Sequence, residues 1–162
     1  MKTWKRALKD SLLVGSFASL TSLAGLALRG RAENGSPWGP VNAPGHWVWG
    51  ERALRQDRPS LRYTAAGLLV HHLSSGFWGL LHEKLLGTEG QAKAASGLLR
   101  DAAATTALAA LVDLRVVPHR LTPGFQRRLS PFSLVVVYAL FGLGLAAGSY
   151  LTSRRARREA GR

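Results

Sequence analysis

Apolar residues fall into four runs along the chain, separated by basic segments that carry glycine and proline. The last run, Pro131 to Ser153, contains no charged residue and is long enough to cross the hydrocarbon core of a bilayer, which takes about 20 apolar residues as a helix. Ser11 to Leu28 is a second uncharged run, with Lys2, Lys5, Arg6 and Lys9 before it and Arg29 and Arg31 after. Tyr63 to His82 holds His71, His72 and His82 and is closed by Glu83 and Lys84. The remaining run is the most interrupted: Leu98 to Val117 carries Arg100 and Asp101 at one end and Asp113 inside the other. Its alanines and threonines suit packing against other helices better than facing lipid. The pattern predicts an all-α fold, a bundle of four transmembrane helices. Residues 1–162 then form a single integral membrane domain with spans at about 11–28, 63–82, 98–117 and 131–153.

The first run has a rival reading as a secretory signal peptide, with Gly25-Leu26-Ala27 as the cleavage region. Its length and the three apolar runs that follow favour a retained helix. Residues 35–50 are dense in Pro, Gly and Trp, which breaks regular helix. Their three tryptophans predict a segment at headgroup depth, where indole rings are favoured. Glu51 to Arg58 predicts a short surface helix stopped by Pro59.

Composition narrows the class. The net charge is +13 and the mean hydropathy +0.01, the loop arginines cancelling the apolar runs. Such a charge suits nucleic acid or an anionic lipid surface. The basic residues lie outside the uncharged runs and no nucleic-acid recognition motif is present, so the expected partners are the bilayer and its anionic headgroups, and no nucleic acid. The absence of cysteine rules out disulfides, iron–sulfur clusters and thiolate zinc sites.

Four spans place both termini on one side. That side, with the 84–100 loop, carries twelve Lys and Arg against ten on the other. Basic loops stay inside and the first helix usually dominates, so both termini are expected in the cytoplasm of a bacterial inner membrane, as a multi-pass protein.

Titratable groups inside a span are costly and mark candidate sites. Counted from the predicted span ends at 1.5 Å per residue, His71, His72, Asp113 and Tyr138 share a depth of roughly 6–14 Å below the outer surface. They form a candidate polar intramembrane cluster. His46 and Glu51 in the first outer loop, and His119 in the second, are candidate residues to cap it. The bland alternative is an interhelical hydrogen bond from a histidine to Asp113 or Tyr138 that only fixes packing. Adjacent His71 and His72 point about 100° apart on a helix and do not chelate one ion together. The other three spans contain no histidine, which disfavours a haem held between two helices. No cofactor or metal is therefore expected. His82-Glu83 is expected as a hydrated pair at the inner interface. Gly144-x-x-x-Gly148 and Gly15-x-x-x-Ser19 offer matching small faces for helix contact. Phosphate-loop, nucleophile-elbow and zinc-protease motifs are missing, and His82-Glu83-Lys84-Leu85-Leu86 lacks the second histidine of the last.

Three stretches carry a family resemblance: Asn42-Ala-Pro-Gly-His-Trp-Val-Trp-Gly50, Pro59-Ser-Leu-Arg-Tyr63 leading to His71-His72, and Asp113-Leu-Arg-Val-Val-Pro-His-Arg-Leu-Thr-Pro-Gly124. Together they cover under half the chain. The sequence resembles small uncharacterised bacterial inner-membrane proteins grouped as a domain of unknown function. The resemblance implies a four-helix membrane protein and no established activity.

The expected function is a non-enzymatic inner-membrane protein with a structural, accessory or stress-related role. A small ion- or proton-coupled transporter subunit is one alternative, and a metal-dependent integral-membrane enzyme another. Four helices enclose little space, so a homo-oligomer is compatible with the carrier reading.

Overall fold

The computed structural model describes residues 1–88 and 93–160, with the side chains of 157, 159 and 160 left aside. Its regular structure, among the described residues, is entirely helical. The long helices are α1 (Trp4–Asn34), α4 (Leu61–Leu85), α5 (Ala95–Leu111) and α6 (Pro131–Ala160). The short α2 (Trp38–Asn42) and α3 (His46–Trp49) lie between α1 and α4. The predicted link from Gly87 to Ser96 falls partly outside the described residues.

Local chemistry sets the ends. The Thr3 hydroxyl accepts from the Arg6 amide at 3.3 Å and starts α1. Gly35 ends it in the left-handed region at φ 71°, its N–H returning to the Arg31 carbonyl. Ser60 caps α4, accepting from the Tyr63 amide at 3.0 Å. Pro131 opens α6, where its missing N–H costs nothing. The Glu33 carboxylate reaches that helix start from α1, accepting from the Ser130 amide at 2.8 Å and the Ser130 hydroxyl at 2.6 Å. α5 runs on into a π-helical turn, Val112–Val116, and stops at extended Val117, as a residue before proline prefers.

Helix α1 stands at the centre, packed against α4 on one side and α6 on the other, and α5 packs against α6. A cut after Ala27 would remove most of this central helix. Gly144 and Gly148 of α6 lie against Ala18 and Val14 of α1. A Cβ on Gly15 would fall 2.7 Å from the Gly76 Cα of α4. The small faces predicted to match therefore do not meet: Gly15 and Ser19 turn to α4, and the Gly144–Gly148 step meets the neighbouring face of α1. Residues 14 and 18 stand about 100° from 15 and 19 around the helix, which separates the two contacts.

At one end the connections fold over the bundle as short helices rather than an open loop. Gly50–Arg55 forms a 3₁₀ helix. Buried Asn42 donates to the Gln56 and Arg58 carbonyls at 2.9 and 3.0 Å and accepts from the Thr64 hydroxyl at 2.7 Å, stitching this segment to α4. Trp47 donates to the Thr122 carbonyl at 2.9 Å, joining the two connections.

At the opposite end the chain start folds inward. The Lys2 ammonium pairs with Asp10 at 2.7 Å and with Glu83, and the Ser149 hydroxyl also donates to Glu83. His82 and Glu83 are 3% and 1% exposed. They are not the hydrated pair expected, because Lys2 covers them and supplies the counter-charge. Lys93 donates to the Leu86 carbonyl at 2.5 Å and pairs with Asp101, and His82 Nδ1 lies 2.8 Å from the Thr105 hydroxyl.

Two helices, Trp4–Asn34 and Pro131–Ala156, are long and apolar enough to cross a membrane. The 25-residue α4 has the length without the same apolarity, and α5 is 17 residues before its π turn.

Candidate functional site

Helices α4 and α5 are fastened at the His82–Thr105 contact and touch little elsewhere. Beyond it, toward the end that carries the folded connections, a cavity of about 400 Å³ opens between them. Its α4 wall is His71, Ser74, Ser75 and Trp78, at the i, i+3, i+4, i+7 positions of one helix face, with Leu73 and Phe77 at the rim. Ala109, Val112 and Asp113 form the facing wall, Val137, Tyr138 and Phe141 of α6 the back, and Trp47 and Leu121 part of the roof. Leu73 and Phe77 are 62% and 55% exposed, so the cavity opens sideways between the two helices.

Besides the wall serines, three polar groups stand in this mainly apolar space: His71, Asp113 and Tyr138. His71 Nε2 lies 3.0 Å from the Ser22 hydroxyl and 3.3 Å from the Ser19 carbonyl on α1. The Ser22 hydroxyl hydrogen is engaged by the Ala18 carbonyl at 2.6 Å, so both contacts call for the proton on Nε2. Asp113 sits in the π turn, whose wider coil displaces side chains from the α-helical register. Its carboxylate accepts from the Tyr138 hydroxyl at 3.1 Å. The Tyr138 ring packs edge-on to Phe125, centroids 6.2 Å apart.

Of the candidate cluster, His71, Asp113 and Tyr138 thus line one cavity. His72 does not: one residue further round α4, it is exposed on the outer face. None of the three capping candidates lines it either. His46 is buried with Nδ1 donating to the Ala43 carbonyl at 2.9 Å, a contact within its own turn. Glu51 lies at the surface beside Arg127, 2.7 Å away, which holds its carboxyl below the usual range. His119 is exposed on the second connection. The serines of the wall and its aromatics other than Tyr138 are absent from the predicted set. The spacing His71–Ser74–Ser75–Trp78 is the signal that would have found the α4 members.

Family models, curated proteins and solved structures offer no match to this chain. Among the described residues, no three His, Asp or Glu side chains gather closely enough to hold a metal ion. The cavity is suited chemically to reversible binding: apolar walls, one carboxylate, one imidazole acceptor and a lateral entrance.

Proposed function

We propose that the protein is a four-span protein of the bacterial inner membrane, both termini cytoplasmic, acting as a non-enzymatic accessory factor that holds a small molecule in the cavity between α4 and α5. The observation that carries this reading is a surface of large apolar side chains over a core rich in small and hydroxyl residues. Large apolar residues face outward on all four long helices: Leu12 and Leu20, Leu69 and Leu73, Leu108 and Leu111, Val135 and Leu143 are each about half exposed or more. Between the helices, Ser11, Ser19, Ser22, Ser75, Thr105, Ser149 and Thr152 are buried alongside an apolar core that includes Leu26, Phe141 and Leu145. A water-soluble bundle buries its leucines, whereas helices in lipid associate through small and hydroxyl side chains.

Aromatic rings stacked with cations at both bundle ends support the same placement, as membrane–water interfaces favour them. Arg62 lies 4.1 Å from the Trp49 ring centre at one end; at the other, Lys84 lies 5.1 Å from Trp4 and Arg154 5.6 Å from Tyr150. A binding role is favoured over a through-pathway because the inner half of the bundle is filled by the Lys2–Glu83 and Lys93–Asp101 network. The kinship with uncharacterised four-span inner-membrane proteins is part of this proposal and rests on the three stretches quoted above.

The chain has no cysteine, so single cysteines report threading directly. With a membrane-impermeant maleimide on spheroplasts, Gly35→Cys and Arg120→Cys should label in intact cells. Arg100→Cys and Arg154→Cys should label only after lysis. Labelling of positions 35 and 100 from the same side would exclude four spans.

A further inference from the structure

Taking the α4–α5 cavity as a ligand site, we propose that its ligand is a lipophilic organic cation, of the hydrophobic ammonium or phosphonium class, with Asp113 as its counter-charge. The first ground is charge. Among the described residues, Asp10, Glu33, Glu51, Asp57, Glu83 and Asp101 each lie within ion-pair distance of a lysine or arginine, and Asp113 does not. Asp113 keeps hydrogen bonds from Tyr138 and Trp78 but has no cation beside it, and an ionised carboxylate in apolar surroundings is costly without one. No lysine or arginine lines the cavity, and its one basic group, His71, spends its Nε2 proton on Ser22 and the Ser19 carbonyl. An anionic ligand therefore finds the Asp113 charge there and no cationic partner.

The second ground is the wall. Trp47, Phe77, Trp78, Phe125, Tyr138 and Phe141 surround the space, and aromatic faces attract organic cations, more strongly where water is excluded. The third is access and size. About 400 Å³ is within the range of drug-sized ligand pockets, and the gap at Leu73 and Phe77 faces the region where lipophilic cations concentrate in a bilayer.

The test is equilibrium binding of radiolabelled tetraphenylphosphonium to the full chain in nanodiscs, with tetraphenylborate, nearly identical in shape and opposite in charge, as competitor. One saturable site is expected, displaced by unlabelled phosphonium and not by borate. Asp113→Asn should weaken it about tenfold or more, the ratio that about 1.4 kcal/mol of lost pairing gives. Phe77→Ala, at the exposed rim, should weaken it several-fold without disturbing the bundle. Borate competing as well as phosphonium would overturn the cation proposal while leaving the cavity a site for apolar ligands. That arm needs no variant, so a poorly folding Asp113→Asn does not decide the matter. Absence of saturable phosphonium binding would also overturn it. In that case, quenching of tryptophan fluorescence by an uncharged brominated aromatic, lost in Phe77→Ala, would show whether the cavity itself still binds.

Discussion

Lys2 and Glu83, 81 positions apart in sequence, form an ion pair at the end of the bundle where the chain starts, with side chains 6% and 1% exposed. A buried pair of this kind adds little over a well-packed apolar pair, but removing one partner strands the other. Glu83 keeps the Ser149 hydroxyl without Lys2, and Asp10 keeps Arg6 at 3.1 Å. Lys2→Met should therefore destabilise the fold by about 3 kcal/mol. The thermal transition of the purified protein measures this. Glu83→Gln added to Lys2→Met should recover part of the loss, since the stranded charge is then gone. A Lys2→Met protein as stable as the parent would mean that the ammonium does not reside in the bundle.

The contact between α1 and α4 yields a paired prediction on Gly15 and Gly76, of which only Gly15 points its side-chain position at the other helix. A Cβ on Gly15 would lie 2.7 Å from the Gly76 Cα, a distance real Cβ atoms do not show, whereas a Cβ on Gly76 meets nothing within 4 Å. Gly15→Ala must push the helices apart and should cost about 1–3 kcal/mol. Gly76→Ala should be neutral or stabilise by up to about 1 kcal/mol, because alanine loses less backbone entropy in a helix. Chemical or thermal denaturation of both variants decides; equal effects would mean that the α1–α4 packing is not as described.

Glu33 supplies a pH dependence at the opposite end, beside the start of α6. Hydrogen bonds from the Ser130 and Ser133 hydroxyls and the Ser130 amide hold its carboxyl well below the ordinary 4.5, at about 2. A lowered folded-state pKa means that the contribution is present above the unfolded value and lost as pH falls toward the folded one. The stability advantage of the parent over Glu33→Gln should accordingly be constant above about pH 5 and shrink between 4.5 and 2. Thermal melts of the two proteins across that range measure the difference. An advantage that stays flat to pH 2 would dissociate Glu33 from the start of α6.

How much of this was legible in the chain differs by level. The places of the four long helices are legible in hydropathy, since 11–28, 63–82 and 131–153 lie within the longer α1, α4 and α6, and 98–117 runs one residue past the π turn that ends α5. The shared depth of His71, Asp113 and Tyr138 follows from counting residues at constant rise. Facing was harder. Adjacent His71 and His72 differ by a 100° turn, and nothing in a single sequence says which one points inward. Small residues occur all round α1, so Gly15 and Ser19 did not reveal that their partner is α4. Lys2 reads as one of four basic residues before the first apolar run until the fold brings Glu83 to it. His46, Glu51 and His119 have only their loop positions to argue for them: His46 turns to the Ala43 carbonyl, Glu51 pairs with Arg127, and His119 is exposed.

Thr105 and Thr106 are neighbours on α5 with opposite expectations. The Thr105 hydroxyl donates to the Asp101 carbonyl at 3.1 Å, so its oxygen is free to accept from His82 Nδ1 at 2.8 Å. Thr105→Val leaves that buried imidazole N–H without a partner and should cost about 1–3 kcal/mol. The Thr106 hydroxyl, by contrast, is buried against Gly142 with no hydrogen-bond partner. Thr106→Val replaces an unsatisfied polar group by a methyl of the same shape, and should stabilise by up to about 1 kcal/mol. Both substitutions carry the same loss of helix propensity and the same volume, so the difference between the two melts isolates hydrogen bonding. Two shifts of the same sign and size would mean that His82 and Thr105 do not fasten α4 to α5, and the wedge that opens the cavity would lose its hinge.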